Sequence, residues 1–192
     1  MPDEGQTMDS TTERRYTFND LWDFPDDGRR RELIDGVLYV SPQARVRHQY
    51  GVGRLTYRFN FWVDWHGGAV FPGANLDFAA DTHLEPDVVF LRPEHLTLEG
   101  LSLTEPPDLV IEVSSPSTRR YDLLEKRAAY ERFGVPEYWF VDLKVDKVFV
   151  YLLVDGRYGE PVVHGRGDVI TTAQAPGLVI DVDDVLGPPE RG

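Results

Sequence analysis

At 192 residues and without a single cysteine, the chain is long enough to bury a core as one domain, and disulfides, zinc–thiolate centres and cysteine nucleophiles are excluded together. A formal net charge of -13 argues against indiscriminate adhesion to nucleic acid, which is drawn to positive surfaces. No apolar run approaches the length that spans a bilayer, and the amino terminus lacks the apolar stretch of a secretory signal, so a cytoplasmic protein with no membrane attachment is expected.

Residues 1–15 are polar and are expected to form a flexible tail, followed by a single domain over 16–186 and a short tail over 187–192. Thr17 and Asp20 have the spacing of a capping box for a short helix. "RRELIDGVLYV" reads as two strands around Asp35-Gly36, a hairpin dipeptide. From Ala44 to Trp65, Val52, Leu55, Phe59, Trp62 and Val63 recur at helical spacing, although Gly51 and Gly53 weaken the start. This segment carries Arg45, Arg47, Arg54 and Arg58 with His48 and Gln49, and no acid stands between Ser41 and Val63. It is the candidate contact for a nucleic-acid backbone, with solvated surface as the plainer reading.

Strands are expected at Ala69 to Phe71, Leu76 to Phe78, Asp87 to Leu91 and Asp108 to Val113, then a helix from Asp122 to Phe133 that stops at Gly134 with Pro136 beyond. "EYWFVDLKVDKVFVYLLV" is a second hairpin around Leu143 to Asp146, and Asp155-Gly156 begins another turn. "VITT" and "GLVID" read as short edge strands. Strands interrupted by two long helices predict a mixed α/β or α+β domain.

Within "PPDLVIEVSSPS", Glu112 interrupts an apolar strand. A carboxylate there costs several kcal/mol unless it is paired, protonated or bound to a metal. "EPDVVFL" and "PPDLVIEV" both set Pro-Asp at the mouth of a strand. Antiparallel pairing of the two would bring Asp87 beside Glu112, with Cβ atoms about 4.5–5.5 Å apart. Adjacent carboxylates repel, and a divalent cation relieves them; magnesium takes one or two carboxylates and keeps several waters. Lys126 is one of three lysines in a chain with 17 arginines. It is a candidate point charge for the same site, or else an exposed helix charge paired with Asp122. Glu32, behind three arginines, is either a surface salt bridge or a further site acid. His48 is a proton shuttle or a helix-face residue. Phosphate-loop, His-Glu-x-x-His, Gly-x-Ser-x-Gly and dinucleotide motifs are absent.

In order, "ELIDG", "RHQ", "EPDVVFL" and "PDLVIEVSSPSTRRYDLLEKRAAYERFGVPEYWFVD" resemble the Uma-type (Uma-two) endonuclease family of the PD-(D/E)XK restriction-endonuclease-like superfamily, over about Thr17 to Asp184. The resemblance implies an α/β (α+β) fold: a restriction-endonuclease-like central mixed sheet flanked by helices, with additional β-hairpins. It also implies a magnesium or manganese site held by Asp87 and Glu112, with Lys126 and Glu32 as further catalytic residues. His48 and Gln49 match the family's helix signature. The superfamily's lysine usually stands two residues after the second acid, where this chain has Ser114; Lys126 matches the family's displaced lysine. The implied activity is metal-dependent endonucleolytic cleavage of nucleic acid, DNA in the first instance. The apolar, aromatic-rich "EYWFVDLKVDKVFVYLLV" is either buried sheet core, the plainer reading, or a homodimer contact. The competing readings are a non-catalytic nucleic-acid-binding or assembly module on the same fold, and a hydrolase of a small phosphodiester. As a first expectation, replacing Asp87 or Glu112 by alanine removes activity and leaves folding nearly normal.

Overall fold

The computed structural model describes residues 14–41, 44–114 and 119–188. Most of the expected amino-terminal tail, the end of the carboxy-terminal tail and the Ser-Pro-Ser turn after Glu112 lie outside the described residues.

A short α1 (Phe18–Leu21) opens with the expected capping box between Thr17 and Asp20. The antiparallel strands β1 (Arg30–Ile34) and β2 (Val37–Ser41) follow. Their turn places Asp35 and Gly36 at φ of 50° and 74°, the left-handed pair that a type I′ hairpin needs. The 21-residue α2 (Val46–His66) buries Leu55, Phe59 and Trp62. Gly51 belongs to that packed face: a Cβ there would meet the Val185 carbonyl oxygen at 3.2 Å and Val113 Cγ1 at 3.4 Å. The residue that weakened the helix in sequence is what lets α2 approach its neighbours.

Next come β3 (Ala69–Pro72), β4 (Leu76–Ala79), β5 (Thr82–Leu84), β6 (Val88–Leu91), a 3₁₀ turn (Pro93–His95) and β7 (Leu109–Val113). After β7 the chain forms α3 (Arg119–Tyr121), a π-helical turn (Asp122–Lys126) and α4 (Arg127–Arg132). The second hairpin is β8 (Glu137–Asp142) and β9 (Lys147–Val154), and β10 (Arg157–Tyr158), β11 (Val162–Gly165), β12 (Val169–Thr171), β13 (Val179–Asp181) and α5 (Val182–Leu186) complete the chain.

The central sheet has the order β10-β9-β8-β7-β6-β3, with β11 also on β9. Strands β7 and β8 run parallel and the other pairings are antiparallel, so the sheet is mixed. The parallel step requires a crossover, and α3, the π turn and α4 supply it. A second sheet, β2-β1-β5-β4, brings the first hairpin onto the assembly, and β12 pairs with β13 alone.

Alternation along β7 assigns its side chains to two faces. Leu109, Ile111 and Val113 join the cluster that contains Leu55, Phe59 and Trp62 of α2. Val110 joins Ala129 and Tyr130 of α4 on the opposite face, and Glu112 shares that face by period. The expected mixed α+β architecture is therefore the one observed. Sequence reading missed β5, β11 and α5. The first is three residues long with buried Thr82 and His83, and the last is five residues long, so neither displays a period.

Candidate active site

The β6–β7 ladder pairs Val88 with Ile111, Val89 with Val110 and Phe90 with Leu109, antiparallel. One further step sets Asp87 across from Glu112, so the register expected from the repeated Pro-Asp is present. Asp87 lies at the mouth of β6 and its Oδ2 accepts the Val113 backbone N–H at 2.8 Å. Two other elements reach the same carboxylate. His48 Nε2, from the first turn of α2, is 2.9 Å from Oδ2, and Arg30 of β1 donates to Oδ1 at 3.0 Å. Burial alone would push the Asp87 carboxyl up, but His48, Arg30 and Lys126 together hold it below the ordinary carboxylate range. Asp87 is thus an ionised, fixed acid.

Glu112 meets a different set of groups. Lys126 Nζ lies 2.9 Å from Glu112 Oε1 and 2.7 Å from Glu32 Oε1, with Asp122 Oδ1 at 3.9 Å. The Tyr130 hydroxyl donates to Glu112 Oε1 at 2.6 Å, and the Glu85 backbone N–H donates to Glu32 Oε1 at 2.8 Å. Burial pushes the Glu112 carboxyl up to about 8 against the attraction of Lys126, and repulsion from Asp87, Asp122 and Glu32 adds to the rise. For Lys126, burial is outweighed by Glu112, Glu32 and Asp122, and its pKa stands well above the ordinary lysine value. A lysine that could have been an exposed helix charge is instead 2% exposed. The π turn contributes to this placement: Asp122 and Lys126 are its buried residues, and Tyr130 follows one turn later in α4. Such turns widen the helix locally and recur at functional sites.

Ser114, at the position where the superfamily's lysine usually stands, is buried and accepts the Leu143 N–H on its Oγ at 3.2 Å. It joins β7 to the β8–β9 turn.

Among the described residues, Glu32, Asp87 and Glu112 gather around two always-charged cations, Arg30 and Lys126, with His48 beside them. The cluster is short of positive charge, and Glu32 Oε2 is buried without a hydrogen-bond partner. Carboxylate oxygens are the donors that magnesium and manganese prefer, so the residues fit a hard divalent cation. No set of three or more His, Asp or Glu side chains among the described residues converges closely enough to enclose an ion. The fit is to a cation that takes two carboxylates and retains water.

The six residues grouped on the basic helix separate. His48 turns inward to Asp87, while Arg45 and Gln49 are exposed. Arg47 donates to the Leu143 carbonyl at 2.8 Å and pairs with Asp146. Arg54 and Arg58 share Asp184, at 2.8 Å and, from Arg58 Nε, 2.9 Å. Sequence reading missed Arg30 and Tyr130. Spacing puts Arg30 on the strand face of Glu32 and Tyr130 on the helix face of Lys126, but it does not show which acid each one meets.

No helix among the described residues is long and apolar enough to cross a membrane. None of the curated proteins matches the chain. Among solved structures, a crystal structure from Anabaena variabilis, described as "a putative nuclease belonging to DUF820", is 18% identical, with a TM-score of 0.77 over 89% of this chain and 97% of that one. At that identity the likeness establishes the fold. The profile of the Uma2 family, described as "Putative restriction endonuclease", matches residues 18–183. That span includes Glu32, His48, Asp87, Glu112 and Lys126, and the chain belongs to the Uma2 family.

Proposed function

We propose that this protein is a metal-dependent nuclease that hydrolyses phosphodiester bonds in DNA. The observation that carries the reading is the buried Glu32–Asp87–Glu112–Lys126 cluster, four chemically costly groups from three elements and a strand mouth, with more carboxylate than cation. Membership in the Uma2 family, described as "Putative restriction endonuclease", supports the nucleic-acid substrate.

In this reading Asp87 and Glu112 would hold Mg²⁺ or Mn²⁺, which when bound would supply an activated water and charge stabilisation at the scissile phosphate. Asp87 is the acid already ionised. Glu112, whose carboxyl burial raises, would serve as a ligand in its deprotonated form. Lys126 stays protonated between Glu32 and Glu112, where it orients both carboxylates and offers a hydrogen-bond donor to the attacking water or the developing anion. Glu32 fixes Lys126 and presents a carboxylate oxygen with no partner of its own. Arg30, about a third exposed beside Glu85, lies at the edge of the cluster, suited to a phosphate oxygen.

One observation favours a second reading. Asp87 already accepts from Arg30 and Glu112 from Lys126, as they would in a binding module whose acids serve only structure. Cleavage decides between them. Plasmid DNA, a single-stranded oligonucleotide and RNA are incubated with the purified chain in magnesium, manganese or chelator. Cation-dependent cutting of DNA that falls at least about 100-fold in Glu112→Gln, with folding retained, supports the nuclease. Binding without cutting in every cation, unaffected by Glu112→Gln, supports the module.

A further inference from the structure

One face of α2 is largely exposed, with only Tyr50 at its start resting against Gly187. Tyr50, Tyr57, Phe61 and Trp65 stand on it, 43%, 55%, 61% and 78% exposed, with Arg54 between the first two. At 100° per residue these five positions occupy a strip about 80° wide. The opposite side, with Leu55, Phe59 and Trp62, packs into the core. The outward face of a surface helix is ordinarily charged or polar. The strip is mainly aromatic, with Arg54 within it and Arg47 and exposed Asp64 at its edges, and aromatic residues and arginine are the types enriched at protein interfaces.

Gly53 supplies a second, independent sign. It lies on the flank of the same strip, inside the helix, and a Cβ there would meet nothing within 4 Å. Glycine in a helix interior costs about 1 kcal/mol relative to alanine. Gly51 has a reason within the fold, since Val185 and Val113 crowd it; Gly53 has none. A position kept small against open space suits the close approach of another chain. That chain is poorly matched by a nucleic-acid backbone, because Arg54 and Arg58 are paired with Asp184, Arg47 is paired with Asp146, and the protein carries a net charge of -13.

We propose that the strip is a dimer surface on which a second copy of this chain lays its own α2, antiparallel, about a twofold axis. The strip reads almost the same in both directions. With the axis beside residue 57, Tyr50 faces the partner's Trp65 and Arg54 faces the partner's Phe61, a cation–π pairing, while the two Tyr57 rings meet. Spacings of three and four residues suit helices crossing at about 20°. Aromatic side chains bury about 150–250 Å² each, so the exposed parts of the four rings offer on the order of 500 Å² per chain. Doubled by the twofold, this is about the 1,000 Å² at which a specific interface begins, before any contribution from the flanks.

The test is sedimentation velocity on the full chain at about 10 μM, where a micromolar dimer is populated, with far-UV circular dichroism as the check on folding. The wild type sediments as a dimer. The double variant Phe61→Glu/Trp65→Glu, whose side chains have no core contacts to lose, keeps the wild-type spectrum and sediments as a monomer, its dissociation constant raised at least about 100-fold. Gly53→Ala gives a readout that a purely structural glycine would not: a higher melting temperature for the monomer and a weaker dimer. A monomeric wild type, or a dimer that survives the double substitution, overturns the proposal. So does a wild-type monomer whose Trp65 is quenched by a single-stranded oligonucleotide, which would make the strip a base-stacking surface.

Discussion

At the scale of single residues, the site consists of buried charges that depend on one another, and this revises the first expectation about alanine variants. Glu112→Ala strips Lys126 of one of its two close carboxylates, and Asp87→Ala leaves Arg30 and His48 facing an empty mouth of β6. Removing one member of a buried pair costs about 3–5 kcal/mol, so both alanine variants should unfold at distinctly lower denaturant. Glu112→Gln and Asp87→Asn keep shape and hydrogen bonds and are the variants from which activity can be read. Glu112 also sets a pH dependence. Its carboxyl moves from an ordinary 4.5 to about 8 in the folded protein, so between those values the folded state holds a proton that the unfolded chain has released. Its contribution to stability is complete below about pH 4.5 and is lost as pH rises through about 8. Thermal melts of the metal-free protein across that window should show the wild type falling relative to Glu112→Gln, which has no such proton; parallel curves would contradict the assignment. Asp87, lowered from 3.8, acts in the opposite sense and only as pH falls below that value.

Glu112, Asp87 and Lys126 were legible in the sequence for a physical reason. A carboxylate in an apolar strand, a repeated Pro-Asp and a solitary lysine are each costly or unusual, and such costs need a local cause. Tyr130 and Arg30 were harder to recognise, since a tyrosine in a helix and an arginine in an arginine cluster are cheap, and only the fold shows whom they touch.

At the scale of elements, the arginines of α2 show where charge patterning misleads. A basic run on a helix suggested a phosphate-binding face, but Arg47, Arg54 and Arg58 are answered by Asp146 and Asp184, more than eighty residues away in sequence. Arg45 and Gln49, at the exposed start of the helix, make no such ion pair among the described residues. Arg58→Ala should therefore change stability by about 0.2–1 kcal/mol and leave the salt dependence of DNA binding unchanged. Arg45→Ala should lower that slope by about one if it contacts a phosphate. Equal slopes for wild type and both variants, measured by fluorescence anisotropy, would remove α2 from the nucleic-acid contact altogether. The crossover helix was legible in position but not in detail. Its Asp122 to Phe133 pattern gave the right segment, while the π turn that holds buried Asp122 and Lys126 departs from the 3.6-residue repeat and so leaves no helical period to read.

At the scale of the whole molecule, the sequence displayed the long elements because their periods are strong: the 21-residue α2, the buried β7 and β8, and the two hairpins with Asp-Gly or equivalent turns. What it withheld was assembly. The first hairpin forms a separate four-stranded sheet with β4 and β5, and that placement carries Glu32 across to Lys126 and Arg30 to Asp87. A three-residue strand, β5, is the link that pairs with β1, and its brevity hid it.

The account turns on whether the carboxylates of β6 and β7 share one cation. A crystal of the wild-type protein soaked in manganese, with anomalous scattering recorded, measures this directly. The prediction is one strong anomalous peak within bonding distance of both Asp87 and Glu112, absent from a matched Glu112→Gln crystal. A soaked crystal with no peak there, and with Arg30 and Lys126 still seated on the two acids, would contradict it.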